Sequence, residues 1–333
     1  MDIALAFLAS ILLGFIPMFF FAAVIYWTDR YEKEPMLLLV AVFGWGALIA
    51  AAGAFFLNTF LGLSVYALTG SELATGFTTT SFIAPIVEEI LKGFAVFLIF
   101  LLFRQEFDSV LDGIVYAAVT ALGFAATENA FYIFNFGYVE GGYAGIAEMV
   151  FIRIFLVGWQ HPFYTAFIGI GLAFSRLSSK PVVKVFAPIV GLSLAIYGHS
   201  LHNTLASLLN GTSGLLTAAV IDWTGWGAML LFIIWAIYRE RCWISEHLKE
   251  EVSLGIISAK QYQTACSALA QSSARLTALL SGRFKATSRF YQLTAELAHK
   301  KQQHITLGDE NRNQAFIERL RAELTSLAPL VPS

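Results

Sequence analysis

The chain has 333 residues, of which 57% are hydrophobic and 13% charged; its net charge is −2 and its mean hydropathy +0.69. Soluble domains carry about 25% charge, so an ordinary soluble globular protein is excluded. The near-neutral balance gives no basic surface for a nucleic-acid partner.

A helix needs ~20 apolar residues to cross hydrocarbon. In chain order the candidates are 3–27, 36–60, 79–103, 110–136, 147–174, 184–209 and 215–238. The first lacks a basic leader and a small-residue cleavage site, so it reads as an uncleaved anchor. No short fixed-period repeat is present. Basic residues alternate between connections. Arg30 and Lys33 follow the first span, Arg104 the third, Arg176, Lys180 and Lys184 the fifth, and Arg239, Arg241 and Lys249 the seventh. The other connections have none, and Arg153 alone is out of place. Basic loops face the cytosol. The expected arrangement is therefore an all-α polytopic membrane protein of about seven spans, with the N-terminus outside and the C-terminus inside.

Residues 1–239 form the expected membrane domain and 240–333 a cytosolic helical domain. The second reads as amphipathic helices over 245–280, 283–304 and 311–328, broken near Gly282 and Gly308. It is a candidate regulatory or homo-oligomerisation module. Its His247, His299 and His304 read as surface residues. Cys242 and Cys266 form no disulfide or metal signature and read as free thiols.

Ionisable groups at membrane depth are expensive and usually functional. The third span holds Glu88, Glu89 and Lys92; the next three hold Glu128, His161, and the pair His199 and His202. Counted from the outer span ends at 1.5 Å per residue, these lie about 10–21 Å deep. Accidents would scatter in depth, so a shared site is expected. Glu88 with Lys92, His161 with Thr165 and His199 with Asn203 are each one turn apart and share a face. Gly113, Ala117 and Ala121 form a small-residue stripe that Phe124 and Glu128 continue, which turns Glu128 toward protein. Pro85 and Pro162 are expected to free carbonyls beside the site, as in helices that border a wet cavity.

A glutamate shielded from water can act as a general base. A histidine and Asn203 can donate to a developing oxyanion. The same Glu and His set could hold Zn²⁺ or another divalent metal with an open water position; no HExxH is present. No cofactor is certain from these residues. Amide hydrolysis suits them either way. A proton-coupled transporter using the same cluster is the alternative, although no inverted repeat is visible. A scaffold whose polar cluster only specifies packing is a third.

Four motifs carry a family resemblance. They are Asp29-Arg-Tyr-Glu-Lys-Glu-Pro35; Glu88-Glu-Ile-Leu-Lys92; Phe124-Ala-Ala-Thr-Glu128 with Tyr132; and His161 with His199-Ser-Leu-His-Asn203. Together they resemble the PrsW family of intramembrane proteases, related to the CAAX prenyl proteases, over residues 15–240. The resemblance implies a peptidase of the bacterial cytoplasmic (inner) membrane. It implies membrane-anchored protein substrates cut near the outer face, in the manner of anti-sigma-factor cleavage. It implies Glu88 and Glu89 as the principal catalytic pair, and it favours His199 over His202 through the HxxxN pattern with Asn203. Glu128 stands where the CAAX relatives have histidine, so it remains a base, a ligand or a partner for His161.

Overall fold

The computed structural model describes residues 3–208, 211–309 and 312–331, and these are helical nearly throughout, with no strand among them. Residue 209, ending the sixth expected span, and residue 311, opening the last expected helix, lie outside the described residues. Five stretches are long and apolar enough to cross a membrane: Ile3–Thr28, Met36–Thr69, Val110–Leu177, Pro181–Leu208 and Leu216–Ser253. The expectation of seven differs for two reasons. The segment 79–103 is apolar but carries three charged residues, Glu88, Glu89 and Lys92, in its helix α5. The expected spans 110–136 and 147–174 fall within one stretch. That stretch reverses near Gly142, whose φ of 61° and ψ of −141° favour glycine.

Helix α6 (Val110–Tyr132) is the axis of the molecule and is buried along most of its length. Around it pack α1 (Ile3–Thr28), α2 (Met36–Gly44), α5 (Ala84–Leu102) and α8 (Gln160–Leu177). Helix α9 (Pro181–Leu208) packs on α8 and α5. Close approach of α6 and α8 depends on two glycines. A Cβ on Gly113 would sit 2.3 Å from the Gly169 carbonyl oxygen, and one on Gly169 would sit 1.9 Å from that of Gly113. The small-residue stripe therefore faces protein, as small interfacial residues in membranes do.

Helix α10 (Gly211–Ser253) runs unbroken through residues 239–240. The expected helix 245–280 is three pieces. The end of α10 stops at a turn containing Gly255, with φ 69°. There follow α11 (Ala259–Ala265), capped by Ser258 and Gln261, and α12 (Ala268–Leu280), capped by Ser267. Helices α13 (Phe284–Leu307) and α14 (Asn313–Leu327) complete a second apolar core around Ile244, Leu248, Phe290 and Leu297. Tyr31, from the loop before α2, is buried in that core.

The bundle is docked on the membrane-side helices by polar contacts. His299 and His247 are buried, contrary to the expectation of surface residues, and His304 is half-buried. The His299 Nδ1 lies 2.7 Å from Glu32 Oε2 and 3.1 Å from Asp108 Oδ1. Lys300 Nζ donates to Asp108 Oδ2 at 2.8 Å and to the Gln105 carbonyl at 3.0 Å. Partners so distant in sequence left no local signal in 240–333. In the Asp29–Pro35 motif, Glu34 accepts from the Tyr116 hydroxyl of α6 and Lys33 donates to the Tyr26 and Asp29 carbonyls. The motif thus joins the bundle to α6.

Burial opposes charge on His299, but Asp108 and Glu32 outweigh it and hold the imidazole well above its usual pKa. Burial first, and then the charge of Asp108, push Glu32 up to about 8. Both groups hold protons more tightly when docked, so undocking releases protons and docking weakens as pH rises. The His299 contribution is complete below its free pKa of ~6.5 and is lost above it; Glu32 becomes costly between its free value of ~4.3 and about 8. Hydrogen exchange of α13, corrected for intrinsic rates, should be slower at about pH 6 than at about pH 8.5. His299→Gln should flatten this difference. Equal protection at both pH values in the unmodified chain would count against the docking mechanism.

Candidate active site

Pro85 is the second residue of α5 and Pro162 the third of α8. Pro162 removes no mid-helix hydrogen bond, because first-turn N–H groups have no helical partner. Pro85 lies inside continuous helical backbone over 72–102, and the Thr80 carbonyl upstream of it accepts from Asn203 Nδ2 instead, as expected for a proline-freed carbonyl. The irregular backbone lies just ahead of each helix. Residues 79–83 form a π-helical turn before α5, and a short turn over 157–159 precedes α8. π-Helical insertions are frequent at functional sites. Glu88 and His161 follow these two irregular segments closely, and both are buried.

The two adjacent glutamates are not equivalent. Glu89 is fully buried and saturated. Its Oε1 accepts from Lys92 Nζ and, at 2.9 Å, from His199 Nδ1; its Oε2 accepts from Thr165 Oγ1 at 2.8 Å. Lys92, also fully buried, lies 3.2 Å from His161 Nδ1 and 4.6 Å from the Phe124 ring centre. Glu88 has only a 3.4 Å contact from Asn58 Nδ2 to its Oε1. Its Oε2 is buried with no hydrogen bond and stands 3.9 Å from His199 Nε2.

Both imidazoles have their proton placement dictated by carboxylates, which only accept. His199 therefore carries its proton on Nδ1 and presents Nε2 toward Glu88. His161 faces Glu128 Oε2 with Nε2 at 2.8 Å, so its acceptor nitrogen is Nδ1. Glu128 is also paired with Arg153, whose Nε donates to Asn129 Oδ1 at 2.8 Å. The rings of His161 and His199 meet edge to face at 5.2 Å. These groups open on a cavity of about 700 Å³ lined by Glu88, Glu128, His161, His199, Asn203 and aromatic side chains.

Glu88, Glu89, Lys92, Glu128, His161 and His199 thus meet at one place, drawn from α5, α6, α8 and α9. Asn203 lines the same cavity, but its Nδ2 donates to the Thr80 carbonyl at 2.9 Å, so it does not form a closed pair with His199. His202 is on the cavity wall, 2.7 Å from Asp222 Oδ2. Four participants were not recognised from the sequence: Asp222, Tyr164, Gln160 and Asn58. Asp222 carried a signal, being a carboxylate within an otherwise apolar run of α10. Arg153 seemed misplaced as a loop charge; it is the partner of Glu128.

Glu88, His161 and His199 each offer one donor atom, and these atoms lie within 4.8 Å of one another. Two histidines and a glutamate are a common catalytic zinc set, with ligand bonds near 2.1 Å. The orphaned oxygen of Glu88 and the free Nε2 of His199 face each other at a spacing that one shared ion could bridge. Behind His199, Glu89 supplies the carboxylate that second shells of metal-bound histidines usually contain. The residues fit a metal.

A family model described as PrsW family intramembrane metalloprotease matches residues 34–238. Protease PrsW of Bacillus subtilis (strain 168) is 26% identical over 211 residues, covering 63% of this chain and 83% of that protein. Protease PrsW of Oceanobacillus iheyensis is 27% identical over 229 residues, 68% of this chain and 92% of that protein. The match to Protease PrsW of Geobacillus kaustophilus, 28% identical over 155 residues, spans 61% of that protein's length. No solved structure matches the chain.

Removing one partner of a buried ion pair costs about 3–5 kcal/mol. Lys92→Met should therefore markedly lower the thermal unfolding midpoint in detergent, because it leaves Glu89 charged and buried. Glu89→Gln combined with Lys92→Met should recover most of that loss. A single Lys92→Met variant as stable as the parent would mean that the pair does not hold the site together.

Proposed function

The chain belongs to the PrsW family of intramembrane metalloproteases, and from that premise we propose that it is a membrane-embedded peptidase hydrolysing a peptide bond of a membrane-anchored protein. One observation carries the mechanism: Glu88 Oε2 is buried and uncommitted beside His199 Nε2 at 3.9 Å, in a cavity large enough for a peptide segment and water.

Glu89 holds the His199 ring by accepting from Nδ1, and Glu128 holds the His161 ring by accepting from Nε2. The lone pair of His199 is then directed at Glu88, and that of His161, on Nδ1, at Lys92 Nζ 3.2 Å away. Glu88, His161 and His199 are the residues that would hold a transition-metal ion, which lowers the pKa of bound water and polarises a carbonyl. Each offers one atom, so Glu88 keeps a second carboxylate oxygen. That oxygen accepts the proton of the attacking water and returns it to the departing amine. Asn203, at the cavity wall, has an amide donor for the substrate carbonyl. The apolar and aromatic lining accommodates an unwound stretch of a membrane-spanning helix. By family resemblance the substrate class is an anti-sigma-factor-like protein cut near the outer face of the bacterial inner membrane.

The orientation has structural support. The loops 28–35 and 104–109 both meet α13, through Gln292 with the Lys33 carbonyl and Lys300 with that of Gln105. Ser178 and Lys180 share a cavity with Gln302 and Gln303. The basic connections thus lie at one end with the C-terminal bundle, and we place that end in the cytosol.

The test is cleavage of a membrane-anchored substrate by the purified full chain, normalised to folded protein. Glu88→Gln should abolish cleavage. His199→Ala should lose on the order of 10²-fold or more, the scale of one lost electrostatic contact to a reacting group, and His202→Ala should lose less. Full activity in Glu88→Gln would remove the peptidase mechanism. A cysteine placed at Glu140 should be labelled from outside and Cys266 only from inside; the reverse would invert the orientation.

A further inference from the structure

Asp222 is buried on α10, surrounded by apolar sequence, and touches neither Glu88 nor the donor set around it. A carboxylate in this setting is costly unless fully partnered. Its partners are specific. Tyr164 Oη donates to Oδ1 at 2.9 Å, Gln160 Nε2 donates to Oδ2 at 2.7 Å, and His202 Nδ1 lies 2.7 Å from Oδ2. Gln160 Nε2 is also 2.9 Å from His202 Nδ1, so the four side chains form one network.

Each partner adjoins a site histidine. Gln160 immediately precedes His161. Tyr164 is fully buried and its ring stacks on the His199 imidazole, with centres 5.2 Å apart and planes at 16°. The residue before His199 is Gly198, where a Cβ would stand 3.1 Å from Tyr164 Cδ1; the glycine leaves room for the stacked ring. Glu89 grips the His199 ring by one edge, and Tyr164 covers its face. A single carboxylate from α10 thereby ties α8 and α9 together at the level of both histidines.

We propose that Asp222 is a positioning residue: through Tyr164 it fixes the His199 ring in the orientation that faces Glu88, and through Gln160 it holds the start of α8 on which His161 sits. The bland alternative is that the network only satisfies buried polar groups and holds three helices together. The two differ in what small changes do. Tyr164→Phe keeps the stacked ring and its volume and deletes only the hydroxyl that Asp222 holds.

The inference rests on the peptidase reading, so its test has a second readout. Full-chain Asp222→Asn, Tyr164→Phe and the double variant are compared for kcat and KM, for thermal midpoint, and for Zn²⁺ affinity by titration of the metal alone. Second-shell partners are typically worth 10–100-fold in metal affinity or activity. Asp222→Asn is expected to lower kcat about tenfold at unchanged KM and to weaken Zn²⁺ binding about tenfold. Tyr164→Phe should shift both in the same direction by less, at an unchanged midpoint. The double variant should be no worse than Asp222→Asn, because the Tyr164 hydroxyl acts only through its bond to Asp222.

Normal kcat and normal Zn²⁺ affinity in both single variants would overturn the proposal. Losses that merely track the amount of folded protein, or that multiply in the double variant, would also overturn it. If the unmodified chain cleaves nothing, the peptidase reading falls, and the Zn²⁺ titration alone still decides whether Asp222 positions the histidines.

Discussion

The ion pair between Glu89 and Lys92 is the constraint on which the rest depends. Two charges with no solvent exposure must be balanced and hydrogen-bonded on every side, or the segment could not remain buried. Glu89 reaches that state only with Thr165 of α8 and His199 of α9, and Lys92 only with His161 of α8. The pair thus dictates that α5, α8 and α9 meet, and in what rotational setting. It also absorbs one of the two glutamates completely. Glu88, about 100° around the helix from its neighbour, is left with an oxygen that no group among the described residues satisfies. Structural and chemical tasks are divided between adjacent residues of the same type.

The close-packed backbone of α6 lets this polar centre exist inside an apolar shell. Gly113 and Gly169 bring α6 and α8 into backbone contact; Gly46 and Gly123 do the same for α6 and the Met36–Thr69 stretch. Glu128 can then reach His161 directly, with Arg153 neutralising the extra charge. The same helix extends toward the Asp29–Pro35 motif, where Tyr116 binds Glu34 and the neighbouring Glu32 meets His299 of the bundle. The motif does not enter the site. It joins the C-terminal helices to the helix that carries Glu128.

Legibility followed from where each residue finds its partners. Glu88, Glu89, Lys92, Glu128, His161 and His199 were readable because an ionisable side chain in an apolar run has few uses besides function or pairing. That they converge was suggested by counting residues from the span ends. The division of labour between Glu88 and Glu89 was not, since it depends on Thr165 and His199, 76 and 110 residues away. Asn203 shares a helix face with His199 as expected, yet the π-helical turn at 79–83 offers it a free carbonyl. His299 was misjudged because a polar residue in an amphipathic helix looks solvated until Glu32 and Asp108 are brought beside it. In the charged segment 79–103, Glu88, Glu89 and Lys92 are buried on one face of α5 while Ile86, Ile90, Phe94 and Leu101 stay exposed on the other.

Metal content is the most direct measure of whether Glu88, His161 and His199 form one reactive centre. Elemental analysis of the purified, folded chain should find about one transition-metal ion per molecule, with the Glu88→Ala and His161→Ala variants each retaining little of it while remaining folded. Chelation should remove the ion and the peptidase activity together, and re-addition should restore both. Full peptidase activity in a chain shown to be metal-free, or unchanged metal content in both variants, would contradict the assignment of these three residues to a metal-holding hydrolytic site.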